Sequence, residues 1–323
     1  MKKYYSLLIL LFLFIDLSAQ QLPIFTQYRE NHGYINPASL NSDYFTGENN
    51  LSFSISHRHQ WVGFKGSPKT QTVKGEYIFH ENTVGLILGG YLINDETDPI
   101  GTTGIFGRLG GLISNDPSSY GFSIGMNLGV MQYRIAPNEL RVMDGNDISL
   151  ENNLSVWNPD VGFGIYYYQS IGSTIGDYFY TGFSVPQTFG VNVDFKNTSG
   201  DFQLERIRHY YGLAGYYKNL GDLSFVEGSV WIKYVPNSPL NVDFNIRYQL
   251  EGVVWIGTGL STARVFHLEA GLNIGEDIFN LEDFNIRIGY GYDHSFSSIG
   301  ASGQFGNSHE INISYSRKTY SYQ

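Results

Sequence analysis

From about residue 50 onward the apolar residues recur at every second position, in runs too long for an ordinary soluble sheet. Phe122, Ile124, Met126, Leu128 and Val130 alternate with Ser123, Gly125, Asn127 and Gly129. Val242, Phe244, Ile246, Tyr248 and Leu250 alternate with Asp243, Asn245, Arg247 and Gln249, and similar runs begin at Leu51, Phe266, Phe284 and Ile311. A period of two gives each extended segment one apolar and one polar face. With a rise of roughly 3.3 Å per residue and a tilt near 40°, runs of about 8–12 residues cover about 25 Å, the height of an outer-membrane apolar band. Soluble strands are usually about 5–6 residues long.

A soluble sandwich also alternates, so the content of the polar face decides between the two. Arg247, Glu269 and Arg287 sit mid-strand among Asn and Gly residues. A polar lumen accommodates such charges and a dry sandwich core does not. They lie on neighbouring late strands with the same parity, and opposite charges in a narrow interior can pair, so they are candidates for a lumen charge network. The expected fold is all-β: a single transmembrane antiparallel up-and-down β-barrel of about 14 strands. Its strands are expected near 50–57, 70–79, 83–92, 101–113, 120–134, 160–169, 178–185, 209–219, 223–235, 241–250, 253–260, 265–274, 284–292 and 309–318. Long connections near 58–69, 135–159, 186–208 and 293–308 contrast with tight ones at His80–Asn82, Leu220–Asp222 and Glu251–Gly252. Barrels have short periplasmic turns and longer outer loops, and an even strand count puts both barrel ends in the periplasm.

The first residues set the compartment. Lys2 and Lys3 precede the apolar run Leu7–Ile15, and Leu17-Ser18-Ala19 places a small residue before Gln20. This pattern is a cleaved secretory signal, too short to be a spanning helix. The expected organisation is a signal peptide at 1–19, an irregular periplasmic or plug segment at 20–49, and an outer-membrane barrel at 50–323. A mean hydropathy of -0.19 would suit a soluble protein. The 25 Tyr, 22 Phe and 38 Gly with only 15% charged residues suit strands, membrane interfaces and packed barrel interiors instead. With no Cys there are no disulfide staples or zinc-thiolate sites. A net charge of -10 excludes nucleic acid as a partner, since no basic field neutralises phosphates.

Signals for chemistry are weak. His57 and His59 share a strand face, but a metal site needs a third ligand and none is identifiable. Asp144-Gly145-Asn146-Asp147 lacks the spacing of a calcium loop and reads as a solvated turn. Neither a Gly-x-Ser-x-Gly elbow nor a phosphate-binding Gly-rich loop with Lys occurs. The Tyr clusters at 166–168, 210–211 and 216–217 read as interface girdles. No catalytic residue, metal or cofactor is assigned. One connection stands apart: after the first strand, Trp61 and Val62 precede Gly63, Phe64 lies between Gly63 and Gly66, and Pro68 and Lys69 follow. A free outer loop does not need that apolar content, so these five residues are candidates for partner binding or inward packing, with the ladder broken at Pro68 and resumed by Thr70.

Several of these segments together carry a family resemblance. Gln27-Tyr28, Ile35-Asn36-Pro37-Ala38, the block Gln60 to Gln71 with Trp61-Val62-Gly63-Phe64 and Pro68-Lys69-Thr70-Gln71, Tyr290-x-Tyr292-Asp293, Ser297-Ser298, and Gly306-x-x-His309-Glu310-Ile311 resemble the PorP/SprF family of type IX secretion system membrane proteins. The block around Trp61 is the specific part, and Ser39 departs from the aromatic residue the pattern has there. The resemblance implies a non-enzymatic barrel of Bacteroidota outer membranes. Its partners would be secreted, adhesin-like surface proteins with type IX C-terminal domains, other secretion components and outer-membrane lipids. Export or surface anchoring is the implied role, and some members serve gliding motility. The competing expectation is a fatty-acid-transporter-like barrel moving a hydrophobic or small solute, which calls for a continuous lumen or an apolar pocket near the lead-in.

Overall fold

The computed structural model describes residues 22–47, 49–136, 154–172, 176–190, 192–197, 200–275, 284–296 and 306–319. Residues 1–19, read as a leader, Asp144–Asp147, read as a turn, and Ser297-Ser298 lie outside them.

Fourteen antiparallel strands form a closed barrel. In chain order these are β1 (Leu51–His59), β2 (Lys69–Glu81), β3 (Val84–Thr97), β4 (Ile100–Ile113), β5 (Tyr120–Ile135), β6 (Leu154–Ser170) and β7 (Tyr178–Val185). After a separate hairpin, β8 (Asn192–Asn197) and β9 (Gly200–Glu205), come β10 (Tyr210–Gly221), β11 (Ser224–Tyr234), β12 (Asn241–Leu250), β13 (Val254–Ser261), β14 (Val265–Ile274), β15 (Phe284–Ser295) and β16 (Ser308–Arg317). Each strand pairs with its sequence neighbours, β7 with β10 across the hairpin, and β1 with β16 to close the ring. Following directly paired residues once around the ring from Val156 on β6 returns to β6 at Ser170, 14 residues along the strand. That stagger over as many strands corresponds to a tilt of roughly 35°.

Alternation becomes the two faces of the wall. Phe53, Ile55, Ile124, Leu128, Phe244, Ile246, Ile256, Leu268, Ile311 and Ile313 are 40–56% exposed, all on one parity. Their neighbours Ser54, Ser56, Ser123, Asn127, Asp243, Asn245, Arg247, Glu269, Asn312 and Ser314 are buried. An exposed apolar face around a closed ring is stable against lipid tails, where every backbone group is already paired by the ladder. Among the described residues no helix is long and apolar enough to cross a membrane.

Three features differ from the sequence reading. The connection read as loop over 186–208 contains β8 and β9, whose buried Val193 and Phe195 pack with Tyr133, Ile135, Leu154 and Val156. Second, β6 starts at Leu154, so it extends into what read as loop over 135–159. Third, the tyrosine clusters are not simple girdles. Adjacent residues of a strand face opposite ways, so Tyr166, Tyr168, Tyr211 and Tyr217 are buried, while their neighbours Tyr167 and Tyr210 are half-buried and Tyr216 is exposed.

Candidate functional site

The inward face encloses the lead-in. A short 3-10 turn (Tyr28–Asn31), α1 (His32–Ile35) and α2 (Ser42–Gly47) carry buried side chains at Tyr28, Arg29, Glu30, Asn31, Ile35, Tyr44 and Phe45. Leu22 donates its amide to Nε2 of His209 beside the start of β10 at 3.3 Å, while Asn50 donates to the Arg317 carbonyl at 3.1 Å. The segment therefore begins beside the rim that carries the long connections and reaches β1 at the opposite rim.

Nearest that first rim, the Thr26 amide donates to Glu310 at 2.7 Å and its hydroxyl to Asp293 at 2.9 Å. Arg58 pairs with Asp293 at 2.5 Å and with Glu310 at 3.5 Å. At mid-height charges alternate. Arg29 bridges Glu227 at 3.3 Å and Glu269 at 3.0 Å, and Glu30 receives Arg247 at 3.2 Å and Arg287 at 3.0 Å. Arg247 also reaches Glu227 at 3.3 Å, and Arg287 also pairs with Asp43. All these side chains are buried, so each depends on its partners rather than on water. The Tyr28 hydroxyl donates to Ser229 at 2.5 Å.

Below this layer the backbone of Asn36-Pro37-Ala38-Ser39 is bound by the wall. Arg108 donates through Nε to the Pro37 carbonyl at 2.8 Å and through Nη2 to the Ser39 carbonyl, and Ser123 donates to the Ala38 carbonyl at 2.6 Å. The Asn36 side-chain Nδ2 donates to the Ile165 carbonyl at 2.9 Å, and Ser184 donates to the Ile35 carbonyl at 2.7 Å. Ser39, where the sequence departs from the family pattern, is fully buried and its hydroxyl donates to the Asn36 carbonyl at 2.8 Å.

Inward glycines make room for this backbone. A Cβ on Gly125 would stand 2.3 Å from the Pro37 oxygen, on Gly164 2.0 Å from Asn36 Oδ1, and on Gly289 2.1 Å from Gln27 Oε1. At Gly125 the neighbour is backbone, so no side chain fits there, while at Gly164 and Gly289 the Asn36 and Gln27 side chains would have to leave their places. These glycines were legible as polar-parity positions, but the match to Gln27 and Asn36 needed the fold. Below them Tyr44 and Phe45 pack with Tyr166, Tyr168, Tyr178, Tyr180 and Tyr217.

Of the residues singled out in the sequence, Arg247, Glu269 and Arg287 all face inward, and each meets the lead-in through Arg29 or Glu30. Trp61, Val62, Phe64, Pro68 and Lys69 sit at the rim between β1 and β2. Val62 and Phe64 are 41% and 58% exposed, Trp61 and Pro68 half-buried, and Lys69 is exposed at the start of β2. The loop is closed by the Gln60 amide on the Pro68 carbonyl at 2.9 Å and held to the β15–β16 connection by the Val62 amide on the Asn307 carbonyl at 2.9 Å. Trp61 adopts φ 50, Gly63 φ 99 and Gly66 φ 75, so the turn uses left-handed backbone at three places. His57 shares a hydrogen bond with Gln71 and His59 with Ser67, and among the described residues no group of three or more His, Asp or Glu is placed to hold a metal ion.

Solved structures with this architecture include the toluene transporter TodX of P. putida (TM-score 0.54, 8% identity, covering 90% of this chain and 95% of that one). The toluene transporter TbuX of Ralstonia pickettii (TM-score 0.52, 8% identity, 89% and 93%) and a FadL homologue of Pseudomonas aeruginosa (TM-score 0.51, 8% identity, 94% and 96%) are also similar. At that identity the likeness shows the barrel fold alone. No curated relative matches the chain. The family model described as "Type IX secretion system membrane protein PorP/SprF" matches residues 17–315. That match spans the lead-in, its glycine seats and the rim loop together, and the chain belongs to the PorP/SprF family of non-catalytic type IX secretion system membrane proteins in the outer membrane.

Proposed function

We propose that this barrel works as a closed interaction platform: the lead-in plugs the lumen, and the rim loop at Trp61–Lys69 engages a secreted surface protein for export or anchoring. The observation that carries the reading is the mid-height layer, where Arg29 and Glu30 of the lead-in hold buried charges of four strands at 3.0–3.3 Å. A segment pinned in that way crosses the path a solute would take, and the apolar pocket lined by Leu22, Pro23, Tyr34, Ile93, Met131 and Tyr133 beside its start is the feature that the transporter reading calls for. With the termini of the barrel at the periplasmic rim, the long connections face outward. Val62 and Phe64 then present apolar area to the exterior, and a buried aromatic anchor contributes about 1.5–3 kcal/mol to a contact. Substitution of both Trp61 and Phe64 by Ala tests the proposal. Heat-modifiable barrel should remain normal while surface display of the secreted partner is lost. Display that survives removes the loop as the contact, and a barrel that fails to form makes the loop structural.

A further inference from the structure

At the same rim, the outward face carries a polar corner that shares Lys69 with the rim loop and otherwise lies on β1 and β16. On β1, β2 and β16 the outward positions include Phe53, Ile55, Val73, Ile311 and Ile313, each 40–54% exposed. Continuing those rows toward the rim of the long connections, the next outward residues are His57 and His59 on β1, Gln71 and Lys69 on β2, and His309 on β16. His57 and Lys69 are exposed, and His59 and His309 half-buried. His59 stands directly opposite His309 on one side and Lys69 on the other. Directly opposed side chains have Cβ atoms about 4.5–5.5 Å apart, and like charges so placed repel. Glu96, opposite Lys69 on β3, also pairs with Arg134 at 3.2 Å at the surface.

The imidazoles are held in place rather than free to turn away. Nδ1 of His309 shares a 2.5 Å hydrogen bond with the Tyr290 hydroxyl, and the Tyr292 ring lies edge-on at 5.5 Å. Nε2 of His59 shares a 2.8 Å bond with the Ser67 hydroxyl, and Nδ1 of His57 meets the Gln71 amide at 3.4 Å. Lys69 and a row of imidazole groups thus stand at the upper edge of the apolar band, where lipid headgroups lie.

We propose that this corner binds the phosphorylated headgroup of an outer-leaflet lipid. The phosphate would accept from Lys69, which carries fixed charge, and from the imidazoles of His57, His59 and His309. Acyl chains would lie along Ile55, Val73 and Ile311. The other titratable or charged groups near the corner are Glu96 with Arg134, Asp98 against Gly66 of the loop, Lys65, His294, Tyr290 and Tyr292. Only the orientation is taken from the proposed function, namely that this rim faces outward.

The test uses the full mature barrel in nanodiscs of neutral phosphatidylcholine. Diphosphoryl lipid A, its dephosphorylated form and inorganic phosphate are added separately, and bound species are read by native mass spectrometry. Preferential retention of diphosphoryl lipid A is expected, with retention reduced about fivefold for each of Lys69→Gln, His59→Gln and His309→Gln. His57→Gln serves as a milder variant should any of these fail to fold, and heat-modifiable mobility checks each one. Equal retention of the dephosphorylated lipid overturns the proposal, as does full displacement by inorganic phosphate, which would make this a free-anion site. Orientation is read separately, by labelling Lys65 on intact cells with a membrane-impermeant amine reagent. An unlabelled Lys65 sinks the outward assignment and with it the outer leaflet as the source, while headgroup binding in nanodiscs is read independently of it.

Discussion

Replacing Arg29 by Met should loosen the lead-in without dissolving the barrel. Arg29 is 2% exposed and links Glu269 at 3.0 Å with Glu227 at 3.3 Å. In its absence Glu227 keeps Arg247 at 3.3 Å and the Tyr180 hydroxyl at 2.8 Å, whereas Glu269 loses the guanidinium that neutralises it. Breaking a buried pair by removing one partner costs about 3–5 kcal/mol, because the remaining charge is left uncompensated in a dry site. The cost falls on the docked state of residues 22–47, since the ladder around the ring does not involve Arg29. Opening of the lead-in should become more frequent by a factor of about 150 to 5,000. Amide hydrogen exchange followed by mass spectrometry reads this directly. Peptides containing the Thr26 and Asn36 amides, bonded to Glu310 at 2.7 Å and to the His32 carbonyl at 2.7 Å, should exchange faster while strand peptides stay protected. Adding Glu269→Gln to Arg29→Met should restore most of the protection. Unchanged exchange in the lead-in, or a parallel rise in the strands, would refute the reasoning.

The glycine seats give a second handle: Gly164→Val puts atoms where Asn36 Oδ1 now lies 2.0 Å from an added Cβ, so lead-in exchange should rise while heat-modifiable mobility persists. On the lipid face, Ile246→Arg, at a position 52% exposed, should cost about 2–4 kcal/mol near the bilayer midplane; folding into vesicles against urea measures it, with Ile246→Leu as the silent control. Removing one lead-in carboxylate with Glu30→Gln leaves Arg247 with Glu227 and Arg287 with Asp43, so its effect on lead-in exchange should be smaller than that of Arg29→Met.

Much of the wall was legible because each strand states its own two faces. All fourteen barrel strands fall where alternation places them, since the period of two survives from Leu51 to Tyr315 against a uniform apolar exterior. The hairpin of β8 and β9 was not legible, because it packs on the inner wall at the rim rather than joining the ladder. Tyr166 and Tyr217 were misread as girdle residues for a related reason: composition cannot say which tyrosine of a cluster faces in, and parity must be followed through the run. The inward parity of Arg247, Glu269 and Arg287 could be read from the residues beside them. Their partners could not, because Arg29 and Glu30 lie more than 200 residues away in the chain and no local pattern links them.

Whether the lumen is closed is the most direct question to put to the account. The mature barrel should be reconstituted in planar bilayers and compared with a form lacking residues 22–47. The account predicts no steady conductance from the intact chain and large, stable openings from the truncated one, whose barrel should still show heat-modifiable mobility. A stable porin-like conductance from the intact chain would contradict it and favour a solute transporter.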